Sequence, residues 1–178
     1  LILATLSDPW QEIYAAEQSH IREDECNAVE NFTGGARITT VNPGDILDAG
    51  ALRRVMQNAT PHGHHNAQNG PVSIVQVTDM GQVYGLDQIA AISAVARDFG
   101  QPLHMDGARF ANALVALGCS PAEMTWKAGV DALSFGATKN GCLGVEAAIF
   151  FDPKHAQQFE FRRKRAGHLF SKGRFLTA

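Results

Sequence analysis

At 178 residues the chain is long enough to bury one good core, and one domain is expected. With 45% hydrophobic and 19% charged residues it has an ordinary globular composition, and a net charge of −3 argues against a nucleic-acid partner. No apolar run approaches the ~20 residues of a membrane helix, no signal peptide is visible, and Cys26, Cys119 and Cys142 lie far apart without a CxxC pair, the pattern of a reducing cytoplasm.

Ser7 or Asp8 before Pro9 suits an N-cap with proline at the first helical position, which predicts a helix running through Trp10 to Gln18. Ser19-His20-Ile21 leads to a helix predicted from Asp24 to Asn31, stopped at Thr33-Gly34-Gly35. Ala36 to Val41 alternates like a strand, Pro43-Gly44-Asp45 is a turn, and Asp48 to Gln57 reads as a helix. A polar loop from Thr60 to Gly70 precedes Val72-Ser-Ile-Val-Gln-Val77, a β-branched run suited to a buried strand.

Leu86, Ile89, Ile92, Val95 and Phe99 then line one face of a helix that Gly100 closes. Pro102 to Met105 is the next strand. Gly107 to Leu117 and Pro121 to Lys127 read as helices, Ala132 to Phe135 and Ala147 to Phe151 as strands. Asp152-Pro153 starts a final helix predicted to reach about Arg165. The β-α-β-α-β order from Val72 onward implies an α/β fold with a mostly parallel sheet and right-handed crossovers.

Two residues stand where a buried strand runs into Gly-bearing turn sequence: Asp106 in Pro102-Leu-His-Met-Asp-Gly-Ala-Arg109 and Lys139 in Leu133-Ser-Phe-Gly-Ala-Thr-Lys-Asn-Gly141. Carboxyl ends of successive parallel strands face one crevice. An acid and an amine there are what a pyridoxal phosphate enzyme requires: the lysine forms a Schiff base, and the carboxylate keeps the pyridine nitrogen protonated. Each residue also has a plainer reading, Asp106 as a helix N-cap and Lys139 as a loop lysine. Gly136, Ala137 and Gly141 would let a flat ring approach the backbone, and partial burial of Lys139 would favour its free amine.

Arg109, one helical turn beyond Asp106, suits bidentate capture of a substrate carboxylate, against a surface arginine as the alternative. His20 can stack on a planar ring, handle protons or be structural. His62, His64 and His65 resemble metal ligands, yet without nearby Cys or a helical HxxxH pair they read as a solvated loop, and no metal is assigned. Arg162-Arg-Lys-Arg165 is a solvated helix end whose cations complement the dipole, unless a neighbouring subunit brings it a phosphate.

Taken together, Ser19-His20-Ile21, Phe32-Thr-Gly-Gly35, His104-Met-Asp-Gly-Ala-Arg109, Ser134-Phe-Gly-Ala-Thr-Lys-Asn-Gly141 and Arg163-Lys-Arg-Ala-Gly-His-Leu-Phe-Ser-Lys172 occur in this order in the threonine aldolases. Over essentially its whole length the chain resembles the bacterial low-specificity L-threonine aldolases, within the β-eliminating lyase group of the fold type I, aspartate-aminotransferase-like superfamily. The resemblance implies a three-layer αβα large domain and pyridoxal 5'-phosphate as cofactor. It gives Lys139 the Schiff base, Asp106 the pyridinium nitrogen, His20 the ring face and a share in proton transfer, and Arg109 the substrate carboxylate. Lys172 matches the basic residue that reaches the cofactor phosphate, often across a subunit interface, so a homodimer or tetramer is implied.

The implied reaction cleaves L-threonine or L-allo-threonine to glycine and acetaldehyde. Phenylserine cleavage or β-elimination on the same scaffold is the neighbouring possibility, and a non-catalytic fragment the remaining one. Many family members carry a Thr-His-Asn-type stretch after the central strand, where this chain has Thr78-Asp79-Met80-Gly81; the base is then Asp79, His20 or water. The family is about twice as long as this chain. Residues 1–178 are therefore expected to be an internal fragment, the central part of the large domain. A phosphate cup is expected before Leu1 and a small domain after Ala178.

Overall fold

In the computed structural model, which describes residues 1–59 and 63–175, alternation along the strands sets the architecture. Helix α1 (Ile2–Leu6) leads into strand β1 (Gln11–Ala15), where Tyr14 packs into a large core and Ile13 and Ala15 into a smaller one. Side chains of period two point to opposite faces, so both faces of the sheet are covered. After α2 (His20–Glu23), α3 (Ala28–Thr33), β2 (Arg37–Thr40) and α4 (Ala49–Ala59) come β3 (Gln68–Val75), α5 (Leu86–Asp98) and β4 (Leu103–Gly107). Helices α6 (Phe110–Leu117) and α7 (Pro121–Met124), strands β5 (Ala132–Gly136) and β6 (Glu146–Phe150), and α8 (Phe159–Arg165) complete the order.

The strands lie in the order β2-β1-β3-β4-β5-β6; the first five are parallel and β6 runs antiparallel to β5. The large core joins Val72, Ile74, Leu103, Met105 and Leu133 of the sheet to Leu52, Met56, Ile89, Ile92, Phe110 and Met124 of the helices. Each such side chain, fully buried, contributes about 1.5–3 kcal/mol of transfer free energy. On the opposite face Leu3 of α1 and Val29 of α3 meet Ile13 and Ala15, and α8 packs on α1. The chain leaves β1 toward β2 and returns to its other side with β3, so the sheet has a switch point between β1 and β3.

The expected parallel α/β sheet is present, but several elements differ. Residues expected to continue a helix through Trp10 to Gln18 form β1 instead. The Asp8-Pro9 signal closes a tight turn, Gln11 N to Asp8 O at 3.0 Å, and the buried run Glu12–Ala15 is held between two strands. Tertiary pairing overrides the local helix signal there. Of the helix expected at Asp24–Asn31 only the second half forms, within α3; α2 ends before Asp24, and Cys26 and Asn27, both with positive φ, lie between the two helices. Strand β3 starts inside the expected loop, at Gln68, and its Pro71 sits where the register with β1 slips between Glu12 and Tyr14. The final helix is broken into a 3-10 turn at Pro153–Ala156 and α8.

Candidate active site

Three segments beyond the parallel strands and one strand end carry the charged groups at the carboxyl edge of the sheet. Beyond β1 the chain places His20 at the start of α2; beyond β3 it places Asp79 in a turn; Asp106 is the penultimate residue of β4; and Lys139 lies in a 3-10 turn (Thr138–Asn140) after β5. Close packing of the β4 and β5 ends depends on glycine. A Cβ on Gly136 would lie 2.8 Å from the Ala108 Cα, and one on Gly107 would lie 2.7 Å from Leu133 Cδ1 and 3.0 Å from the Ser134 carbonyl.

His20, Asp106 and Lys139 line one cavity of about 400 Å³, together with residues of α1 and with His104 and Ser134. Asp106 is half-buried in this wall, and its Oδ1 accepts a hydrogen bond from Ala108 N at 3.0 Å. Burial pushes its carboxyl above the ordinary range, opposed by the Ala108 N–H and by the charges of His20 and Lys139. It is thus a strand residue rather than a helix N-cap; Arg109 holds that position for α6. Lys139 is exposed at the cavity, so the partial burial expected of it is not present.

Arg109 is not a helical turn from Asp106, because the backbone between them is strand and loop. Its Nη1 donates to Asp79 Oδ1 at 2.8 Å, and Asp79 Oδ2 lies 3.6 Å from His20 Nδ1. The other nitrogen of the His20 ring also meets an acid, with Glu25 Oε1 3.0 Å from Nε2. Asp79, Arg109 and His20 therefore form one charge cluster at the rim. His20, Asp24 and Asp79 bring possible ligand atoms within 4.8 Å of one another, but Arg109 already pairs with Asp79, and we assign the group to ion pairing. Lys172 is exposed with φ 64° and is not among the residues that line the cavity.

His104, buried two residues before Asp106, escaped the sequence reading. Its Nδ1 lies 2.9 Å from Ser73 Oγ and its Nε2 2.8 Å from Ser134 Oγ. Burial lowers its pKa to about 3, so the ring is neutral at physiological pH. The period-two rule could have found it, since residues 104 and 106 share a strand face. Of the other histidines considered, His64 and His65 are exposed in a 3-10 turn and His62 lies outside the described residues. A larger depression of about 510 Å³ lies elsewhere, beside Glu12 and Arg37. Those two charges are paired with each other, and no lysine lines it.

A family model described as beta-eliminating lyase matches residues 1–178. The chain belongs to the beta-eliminating lyase family. It is 44% identical over 179 residues to the low specificity L-threonine aldolase of Pseudomonas sp. (strain NCIMB 10558), a match covering all of this chain and 51% of that protein. The Leishmania major threonine aldolase structure matches with a TM-score of 0.85 at 26% identity, over 98% of this chain and 50% of that one. A Thermus thermophilus aspartate aminotransferase matches with a TM-score of 0.63 at 15% identity, over 93% of this chain and 44% of that one, a likeness of fold. This member of the family thus has the fold type I architecture and spans about half the length of the curated relatives it matches.

The residues present fit the cofactor of this family. Asp106 is a carboxylate that burial penalises, no cation bonds to it directly among the described residues, and a cationic ring nitrogen is its natural complement. Lys139 Nζ makes no hydrogen bond or ion pair among the described residues, which leaves the amine available to a carbonyl carbon.

Proposed function

We propose that the chain is the central part of the large domain of a pyridoxal-phosphate-dependent aldolase that cleaves L-threonine or L-allo-threonine to glycine and acetaldehyde. The observation that carries this reading is the convergence of His20, Asp106 and Lys139, from the ends of β1, β4 and β5, on one cavity. When bound, the cofactor supplies a ring that accepts the electron pair left at Cα as the Cα–Cβ bond breaks.

The chain's own residues then have separate tasks. Lys139 Nζ would hold the cofactor through its aldehyde carbon. Asp106 holds a proton on the ring nitrogen through an ion pair in a poorly solvated wall, where such a pair is worth more than in water. His20 packs against the ring and accepts the β-hydroxyl proton. Asp79 and Glu25 stand at its two nitrogens, so a proton taken by either one meets a carboxylate. Arg109 has further N–H donors beyond the Nη1 held by Asp79, and they bind the substrate carboxylate. Lys172, which does not line this chain's cavity, would bind the phosphate of a second copy in a cytoplasmic homo-oligomer. No helix among the described residues is long and apolar enough to cross a membrane.

The test uses the full-length protein. Pyridoxal phosphate should give an absorbance band near the visible, and borohydride should fix the cofactor on the Lys139 peptide. L-threonine, L-allo-threonine and phenylserine should then be assayed for glycine and aldehyde. A label on any other lysine, or no aldehyde from all three, overturns the reading.

A further inference from the structure

We propose that Ser73, His104 and Ser134 form a hydrogen-bond relay of fixed direction, which holds His104 as the Nε2–H tautomer and turns the Ser134 hydroxyl hydrogen to the Asp106 carboxylate through one bridging water. The relay crosses three neighbouring strands on the face that bounds the cavity. Ser73 pairs with His104 in the β3–β4 register and Asp106 with Ser134 in the β4–β5 register. Leu103, Met105 and Leu133 point into the large core, so His104, Asp106 and Ser134 share the opposite face.

The direction follows from hydrogen-bond satisfaction. Ser73 is 1% exposed, and its hydroxyl has a single partner among the described residues, His104 Nδ1 at 2.9 Å. If Nδ1 carried the proton, the Ser73 hydroxyl hydrogen would have no acceptor among the described residues, an expensive state for a buried donor. Ser73 therefore donates and Nδ1 accepts. A neutral imidazole has one N–H, which now lies on Nε2 and donates to Ser134 Oγ at 2.8 Å. With that oxygen accepting, the hydrogen of Ser134 has no acceptor bonded to it among the described residues.

Beside it stands the complementary deficit. Asp106 receives a protein hydrogen bond only at Oδ1, from Ala108, and Oδ2 has no donor among the described residues. Ser134 and Asp106 are registered neighbours on adjacent strands, which lie about 4.8 Å apart; no direct hydrogen bond joins their side chains among the described residues, and one water spans such a gap. A donor there favours the carboxylate form that a cationic ring nitrogen needs. His104 touches neither cofactor nor substrate in this scheme; it is a positioning residue that sets the direction of the Ser134 hydroxyl.

Naming Asp106 as the cofactor's partner rests on the proposed function, but the relay itself does not, so the experiment has two arms. In the first, nitrogen-15 NMR of the cofactor-free full-length protein reads the His104 ring, identified by its loss in His104→Gln. The expected result is a protonated Nε2 and an unprotonated Nδ1; the reverse tautomer overturns the relay whether or not the protein binds pyridoxal phosphate. In the second, Ser134→Ala should weaken pyridoxal phosphate binding about tenfold, the scale of one hydrogen bond to a charged group, with the His104 tautomer unchanged. Ser134→Thr, which keeps the hydroxyl, should restore it. Unchanged binding in Ser134→Ala overturns the link to Asp106, whereas failure of the wild type to bind pyridoxal phosphate overturns the proposed function and leaves the tautomer to decide the relay.

Discussion

Where β3, β4 and β5 meet α4 and α5, the sheet presents Val72, Ile74, Leu103, Met105 and Leu133; where the same strands meet α1, it presents Ser73, His104, Asp106 and Ser134. The first face gains free energy from every side chain it removes from water. The second puts an acid and an imidazole in poorly solvated places, and each has its pKa moved toward the neutral form by burial. Alternation along a single strand thus separates stability from chemistry by one residue: Met105 belongs to one face and Asp106 to the other. Polar groups survive on the second face because they are hydrogen-bonded, His104 to two serines and Asp106 to the Ala108 N–H.

That contrast can be broken by substitution. The largest effect is expected at Lys139, where Lys139→Ala should lower aldolase turnover by on the order of 10³-fold or more. Stability should move by less than about 0.5 kcal/mol, since the side chain is exposed. A large loss of stability would mean that the two faces are not separable. On the other face Met105→Ala should destabilise by about 2–5 kcal/mol in denaturant titrations, while the folded fraction keeps its cofactor affinity. A cofactor-binding defect as large as the stability defect would count against the division.

Asp106→Asn sharpens the electrostatic half of the comparison. The folded-state pKa of Asp106 is raised above the ordinary 3.8, so the folded form holds its proton more tightly than the unfolded chain. That contribution is fully present below 3.8 and is lost as pH rises through the raised value. In the cofactor-free protein, wild type should therefore lose stability relative to Asp106→Asn as pH rises above 3.8, and run parallel to it once the raised value is passed. Wild type gaining stability relative to Asp106→Asn as pH rises would refute the sign. The smallest effect is expected at the rim: Arg109→Lys should raise KM for threonine about tenfold with little change in kcat, because a point charge replaces the fork. Equal losses in kcat would move Arg109 from substrate binding to the reaction itself.

How far these features were legible varies with the range of the signal. The helix α5 and the strands β4 and β5 were readable because the apolar period and the closing glycines lie within a few residues of one another. β1 was misread because its pairing partners, at residues 37–40 and 68–72, are distant in the chain, while the misleading Asp8-Pro9 cap signal is adjacent. His104 was overlooked because a histidine inside a strand announces nothing until its neighbours on the adjacent strands are known.

By itself the sequence determined the parallel α/β order and, through the strand-to-glycine transitions at Asp106 and Lys139, the acid and the amine to examine. These are local properties, written in periodicity and turn chemistry. Only the tertiary structure decided that His20 joins that pair in one cavity, that Arg109 reaches Asp79 rather than open solvent, and that His104 is clamped between two serines. Each of those facts depends on strand register and on loops from distant parts of the chain meeting at one sheet edge, and burial and hydrogen bonding are settled only when they meet.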